Sequence, residues 1–110
     1  MAAVQPTHVV VLGDLVSSHD LPEREWGRRV KRYRWIMQDV RVPLVNIAGN
    51  HDIGYGAVQM PHWSNRFERD FGSLNGEMAL SENLSLVWTN AMVLDGDSTA
   101  SGSAKIAAWR

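Results

Sequence analysis

Cysteine is absent from all 110 residues. That excludes disulfide bonds, thiolate nucleophiles and cysteine-ligated zinc from this chain. No apolar run approaches the roughly 18 residues of a membrane-spanning helix. The start, Met1 to Pro6, has neither the basic nor the apolar stretch of a signal peptide. Excess charge of either sign is missing too: the formal net charge is -1, so bulk electrostatics name no partner. What remains is an ordinary balance for a soluble globular protein, 45% apolar and 21% charged. The length suits one domain with a real but modest core. No internal repeat is visible.

Periodicity places the elements. Val9 to Leu12 is a continuous apolar run, the pattern of a strand buried on both faces in a parallel sheet. A loop follows to Leu21. Asp20 and Glu23, three apart with Pro22 between, read as a capping box. Trp26, Val30, Tyr33, Met37 and Val40 then recur at helical spacing and predict a helix from about Pro22 to about Val40. Pro43 closes that region. Leu44 to Ala48 is a second buried-strand candidate, followed by a glycine-containing loop from Ile53 to Met60. Trp63 to Phe71 reads as a short helix stopped by Gly72, and Leu84 to Leu94 carries a third strand centred on Leu86 to Thr89. The tail from Asp95 to Arg110, rich in Ser, Gly and Ala, is expected to be poorly ordered. Strand, helix, strand, helix, strand argues an α/β layer architecture.

Chemistry is expected where strands end. In open α/β sheets, sites form in the crevice beyond the carboxyl ends of the strands. Gly13-Asp14 follows the first strand, and Gly49-Asn50-His51-Asp52 follows the second. A carboxylate such as Asp14 can bridge two divalent cations. An asparagine carbonyl such as Asn50 adds a neutral oxygen ligand that does not repel a phosphate. His51, beside the metals, can contact a phosphoryl oxygen and protonate a leaving alcohol. Asp52 can orient His51. The glycines allow sharp turns and keep the pocket clear. Two metals clamp a phosphoryl group and activate a water for in-line attack. Each motif alone also reads as a turn held by local hydrogen bonds. Their order, each after a buried strand, favours the site.

These two motifs resemble the second and third blocks of the calcineurin-like metallophosphoesterases. Four stretches are similar to one eukaryotic branch: His8 to Leu15, Val42 to Gly56, Asn65 to Glu68, and Leu86 to Asp97. Enzymes of that branch remove ethanolamine phosphate from the mannoses of GPI anchors. The resemblance implies a partial metallophosphoesterase-type layered fold, an incomplete β-sandwich flanked by helices, over residues 1–97, with 98–110 as a tail. It implies Asp14 as metal-bridging ligand, Asn50 as ligand of the second metal, His51 as phosphate contact and proton donor, and Asp52 as its supporting partner. The cofactor would be two divalent ions, manganese first, with iron or zinc as alternatives. The partner would be a phosphoester substrate, a GPI-anchor glycan by the branch resemblance, with no nucleic acid. The parent would sit at the endoplasmic reticulum or Golgi membrane, attached through segments outside this chain.

The family pattern also calls for an earlier Asp-x-His block and a later Gly-His-x-His block, and neither is in this sequence. Ser17 stands where many members carry a second aspartate. A fragment is therefore expected, inactive as an isolated chain. The alternative is a non-catalytic module that binds a phosphorylated ligand or a partner protein. His8, His19 and His62 fall in no ligand block. Seven of the eleven basic residues lie between Arg24 and Arg41, and they read as a solvated helix face diluted by Glu23, Glu25 and Asp39. The tryptophans read as core or cleft packing.

Overall fold

A computed structural model describes residues 3–54 and 61–93. Strand β1, Val9–Leu12, pairs in parallel with β2, Leu44–Ile47. Helix α1, Glu23–Ile36, crosses between them. The register sets Val9 against Leu44 and Leu12 against Ile47. Both strands thus end in step, and the two sequence motifs emerge side by side.

The helix forms where the 3.6-residue repeat predicts. Trp26 and Val30 are buried, and Tyr33 and Met37 are half-buried beside them. Its ends differ from expectation. Asp20 does not cap it: its carboxylate takes the Ser18 hydroxyl instead. Pro22 is the cap residue, with its carbonyl accepting from the Trp26 amide at 2.9 Å. The α-helix stops at Ile36, and residues 37–39 continue as a turn.

Helix α2 is a single turn, Asn50–Ile53, at the end of β2. Helix α3 spans Pro61–Phe71 and buries Arg66, Phe67 and Phe71. Gly72 ends it as expected, with φ of 111°. The core is Val16, Trp26, Val30, Ala48, Ile53, Phe67, Phe71 and Leu74. Full burial of a side chain such as Phe67 contributes about 1.5–3 kcal/mol. Asn46 is the polar residue in β2. It accepts from the Tyr33 hydroxyl and donates to the Phe71 carbonyl at 3.1 Å, so it ties α1, β2 and α3 together.

Two strand expectations change. The third strand, β4 (Leu84–Trp88), does not join β1 and β2. It pairs antiparallel with β3 (Gly76–Ser81), a strand the sequence reading passed over, in a separate two-stranded sheet. Asn75 anchors this hairpin: its side-chain oxygen accepts from the Asn90 amide at 2.6 Å and the Thr89 hydroxyl at 3.2 Å. Nor is β1 buried on both faces, since Leu12 is 82% exposed. Among the described residues β2 is its one partner, so β1 lacks the cover a central strand would have. The class is therefore mixed α/β, built on two small sheets. The expected tail falls outside the described residues, as does most of the Ile53 to Met60 loop.

Candidate metal and phosphate site

Two left-handed residues close β1. Gly13 has φ of 87° and Asp14 has φ of 55°. A β-carbon costs roughly 1–2 kcal/mol in that region, and aspartate is among the few residues that visit it. The turn is tolerated because it folds the chain directly onto the end of β2. A β-carbon added at Gly13 would stand 2.9 Å from both Cα and N of Gly49. One added at Gly49 would overlap Oδ1 of Asp14 and lie 2.6 Å from its amide nitrogen. The two motifs meet backbone to backbone, and only glycine fits at that seam.

This contact seats the Asp14 carboxylate against the segment that carries Asn50 and His51. Oδ1 of Asp14 accepts from the His51 amide at 3.3 Å. Asp14 and His51 are exposed and Asn50 is half-buried. Among the described residues, the side chains of Asn50 and His51 make no hydrogen bond. Three polar side chains with uncommitted donor or acceptor atoms therefore share one rim of the parallel pair.

Asp52 is different. It is completely buried. Oδ1 accepts from the Val16 amide at 2.9 Å and Oδ2 from the Gly49 amide at 2.8 Å. Burial pushes its carboxyl above the ordinary carboxylate value. The Gly49, Val16 and Asp14 amides oppose that rise, and the Asp14 charge adds to it. The expected role, orienting His51 through its side chain, is not the geometry found. Asp52 binds the main chain of both motifs and fixes their spacing, and His51 is tied through its own amide to Asp14.

Arg66 holds the far end of the Asp14 loop. Its guanidinium donates to the carbonyls of Leu21 at 2.7 Å and His19 at 2.6 Å. It stacks 4.0 Å from the Trp26 ring centroid and lies 3.6 Å from a Glu23 oxygen. Nothing local in the sequence marks it, because its partners lie more than forty residues away. His19 packs edge-on to Trp63 at 4.3 Å, His62 is exposed on α3, and His8 meets Thr7. None of the three is placed beside Asp14 by a contact.

The donor set suits a divalent cation in part. Asp14 offers a full charge and Asn50 a neutral oxygen, both hard ligands. Among the described residues, no group of three or more His, Asp or Glu side chains converges to complete a cation site. None of the described helices is long and apolar enough to cross a membrane.

Comparison with known proteins points the same way. The chain is 30% identical over 95 residues to Metallophosphoesterase 1 homolog of Drosophila melanogaster, covering 84% of this chain and 26% of that protein. It is 31% identical over 97 residues to Metallophosphoesterase 1 of Gallus gallus, and 32% over 97 residues to that of Mus musculus. Each of those alignments covers 86% of this chain and 24% of the relative. The chain thus spans about a quarter of the length of the curated relatives it matches. No protein-family model matches it, and no solved structure does. The relatives, at about 30% identity over most of the chain, support the metallophosphoesterase family.

Proposed function

We propose that this chain carries part of the active site of a metal-dependent phosphoester hydrolase. The observation behind it is the Asp14 carboxylate seated against the Gly49-Asn50-His51 backbone. Asp14 and Asn50 would hold divalent ions, with further ligands supplied by the rest of a longer protein. Such ions, when bound, act as Lewis acids on the phosphoryl group and lower the pKa of water. His51 is exposed at the same rim. Its imidazole can donate to a phosphoryl oxygen and deliver a proton to the departing alkoxide. Gly13 and Gly49 keep β-carbons out of the space between the motifs. Asp52 holds that space open from below, through main-chain amides of both loops.

The substrate we favour is a phosphodiester, ethanolamine phosphate on a GPI-anchor glycan, with manganese as the metal and the early secretory pathway as the setting. That choice rests on the four flanking stretches quoted above. The two small sheets are then pieces of the larger layered fold.

The test uses the whole protein that contains these residues. Asp14→Ala should abolish both manganese binding and hydrolysis of a phosphodiester. His51→Ala should keep the metal and lower turnover by about 10²–10⁴-fold. Unchanged activity in both variants would refute the mechanism. Ethanolamine phosphate released from a GPI glycan, against none from a simple nucleotide diester, would establish the substrate.

A further inference from the structure

Arg66 is a cation with only 3% of its surface exposed. Glu23, the acid that pairs with it, stands 3.6 Å away, is itself exposed, and makes its shorter bond, 2.6 Å, to Arg69. Nε of Arg66 finds no partner among the described residues. For stability alone this is a poor arrangement, since a well-packed apolar side chain of similar volume often does as well as a buried ion pair. What the guanidinium adds is a fork that holds two carbonyls at once. They belong to His19 and Leu21, at 2.6 and 2.7 Å, in the segment between Asp14 and α1. That segment has no helix or strand of its own. It leaves Asp14 at φ of 55°, a conformation that persists only where the surroundings over-determine it. Asp52 takes the Val16 amide near the start of the segment, and Arg66 takes its far end.

We propose that Arg66 is a positioning residue for Asp14: it pins the loop that keeps the Asp14 carboxylate turned to the rim, ready for a divalent cation. This rests on the hydrolase reading, in which Asp14 is a metal ligand. The hydrogen bonds of Arg66 go to the main chain at His19 and Leu21, so it acts on Asp14 through the backbone of the loop. Without the fork, the loop gains conformers in which the carboxylate has turned away. A cation must then select the competent conformer, and its apparent affinity falls in proportion to the fraction that remains competent. Excess cation restores the site.

The experiment titrates manganese into the whole protein that contains these residues, beside its urea unfolding and its hydrolysis of a phosphodiester. Arg66→Met is the informative variant, because it fills the space over Trp26 without the fork. Its unfolding midpoint should stay near that of wild type, while its manganese affinity should drop about 10–100-fold. At saturating manganese its kcat should return close to the wild-type value. Arg66→Lys, which can reach one carbonyl, should bind manganese with an affinity between the two. Wild-type manganese affinity in Arg66→Met, with binding abolished in Asp14→Ala, would overturn the positioning role and leave the hydrolase reading standing. Manganese binding and hydrolysis that survive Asp14→Ala would instead remove the hydrolase reading, and this role with it. A fallen unfolding midpoint in Arg66→Met, with lost activity that excess manganese does not restore, would make Arg66 a purely structural residue and overturn the proposal as well.

Discussion

Val16 and Asp52 are 36 residues apart and share one buried hydrogen bond, Val16 amide to Asp52 Oδ1 at 2.9 Å. The other carboxylate oxygen holds Gly49 at 2.8 Å. A single side chain therefore sets the distance between the two motif-bearing loops. Asp52→Ala would leave two main-chain donors without partners. An unsatisfied buried donor costs about 1–3 kcal/mol, so urea unfolding should show a loss of roughly 2–4 kcal/mol. Asp52→Asn keeps one acceptor oxygen and should lose less.

Two glycines should respond oppositely to the same substitution. Gly49→Ala drives a methyl into Asp14 and should destabilise by about 1–3 kcal/mol, as overpacking does. Gly27 lies inside α1 with nothing within 4 Å of an added β-carbon. Gly27→Ala should stabilise by about 0.5–1 kcal/mol, because alanine loses less backbone freedom in a helix. Thermal melting of both variants checks the pair.

Arg66→Ala removes the donors to two loop carbonyls and uncovers the Trp26 face. The expected cost is about 2–4 kcal/mol. Arg66→Lys should recover only part of it, since an ammonium lacks the planar fork that reaches both carbonyls and stacks. Denaturant midpoints of the two variants measure the difference. Limited proteolysis should cut first between Val16 and Leu21.

The stability of the chain should fall in acid partly through Asp70. Its carboxyl titrates below the ordinary 3.8 because Arg69 and the Trp26 indole donate to it and Arg34 adds positive charge, against the effect of burial. A depressed folded value means the contribution is complete above the unfolded pKa and is lost as pH falls below it. Urea midpoints of wild type and Asp70→Asn should therefore differ at about pH 6 and converge by about pH 2.

Much of the fold was legible because it is local. The Trp26–Val30–Tyr33 face, the Phe67–Phe71 pair and the Gly72 stop all follow from spacing within one helix. The ends of β1 and β2 were marked by glycine followed by polar residues. Strand β3 was written as clearly, with Met78 and Leu80 alternating with exposed Glu77 and Ala79, but Gly76 obscured it. That glycine is there because a β-carbon would strike the Trp88 ring, a contact across the hairpin that no short window shows. The same holds at the site. Asp14, Asn50 and His51 could be singled out from motif spacing. The true partners of Asp52 could not, because Val16 is an ordinary residue whose only contribution there is its amide. The exposure of Leu12 was equally hidden, since an apolar run has the same appearance whether or not a second neighbour covers it.

The clasp formed by Asp52 also has a kinetic meaning. Val16 and Gly49 belong to different loops, yet their amide protons are guarded by the same carboxylate. The Gly49 bond is local, to a carboxylate three residues on in the same turn, whereas the Val16 bond crosses between loops, so the Val16 loop can lift away while Gly49 stays held. Relative to its intrinsic rate, the Val16 amide should therefore exchange at least as readily as that of Gly49, and its opening is the motion that would part the two halves of the rim.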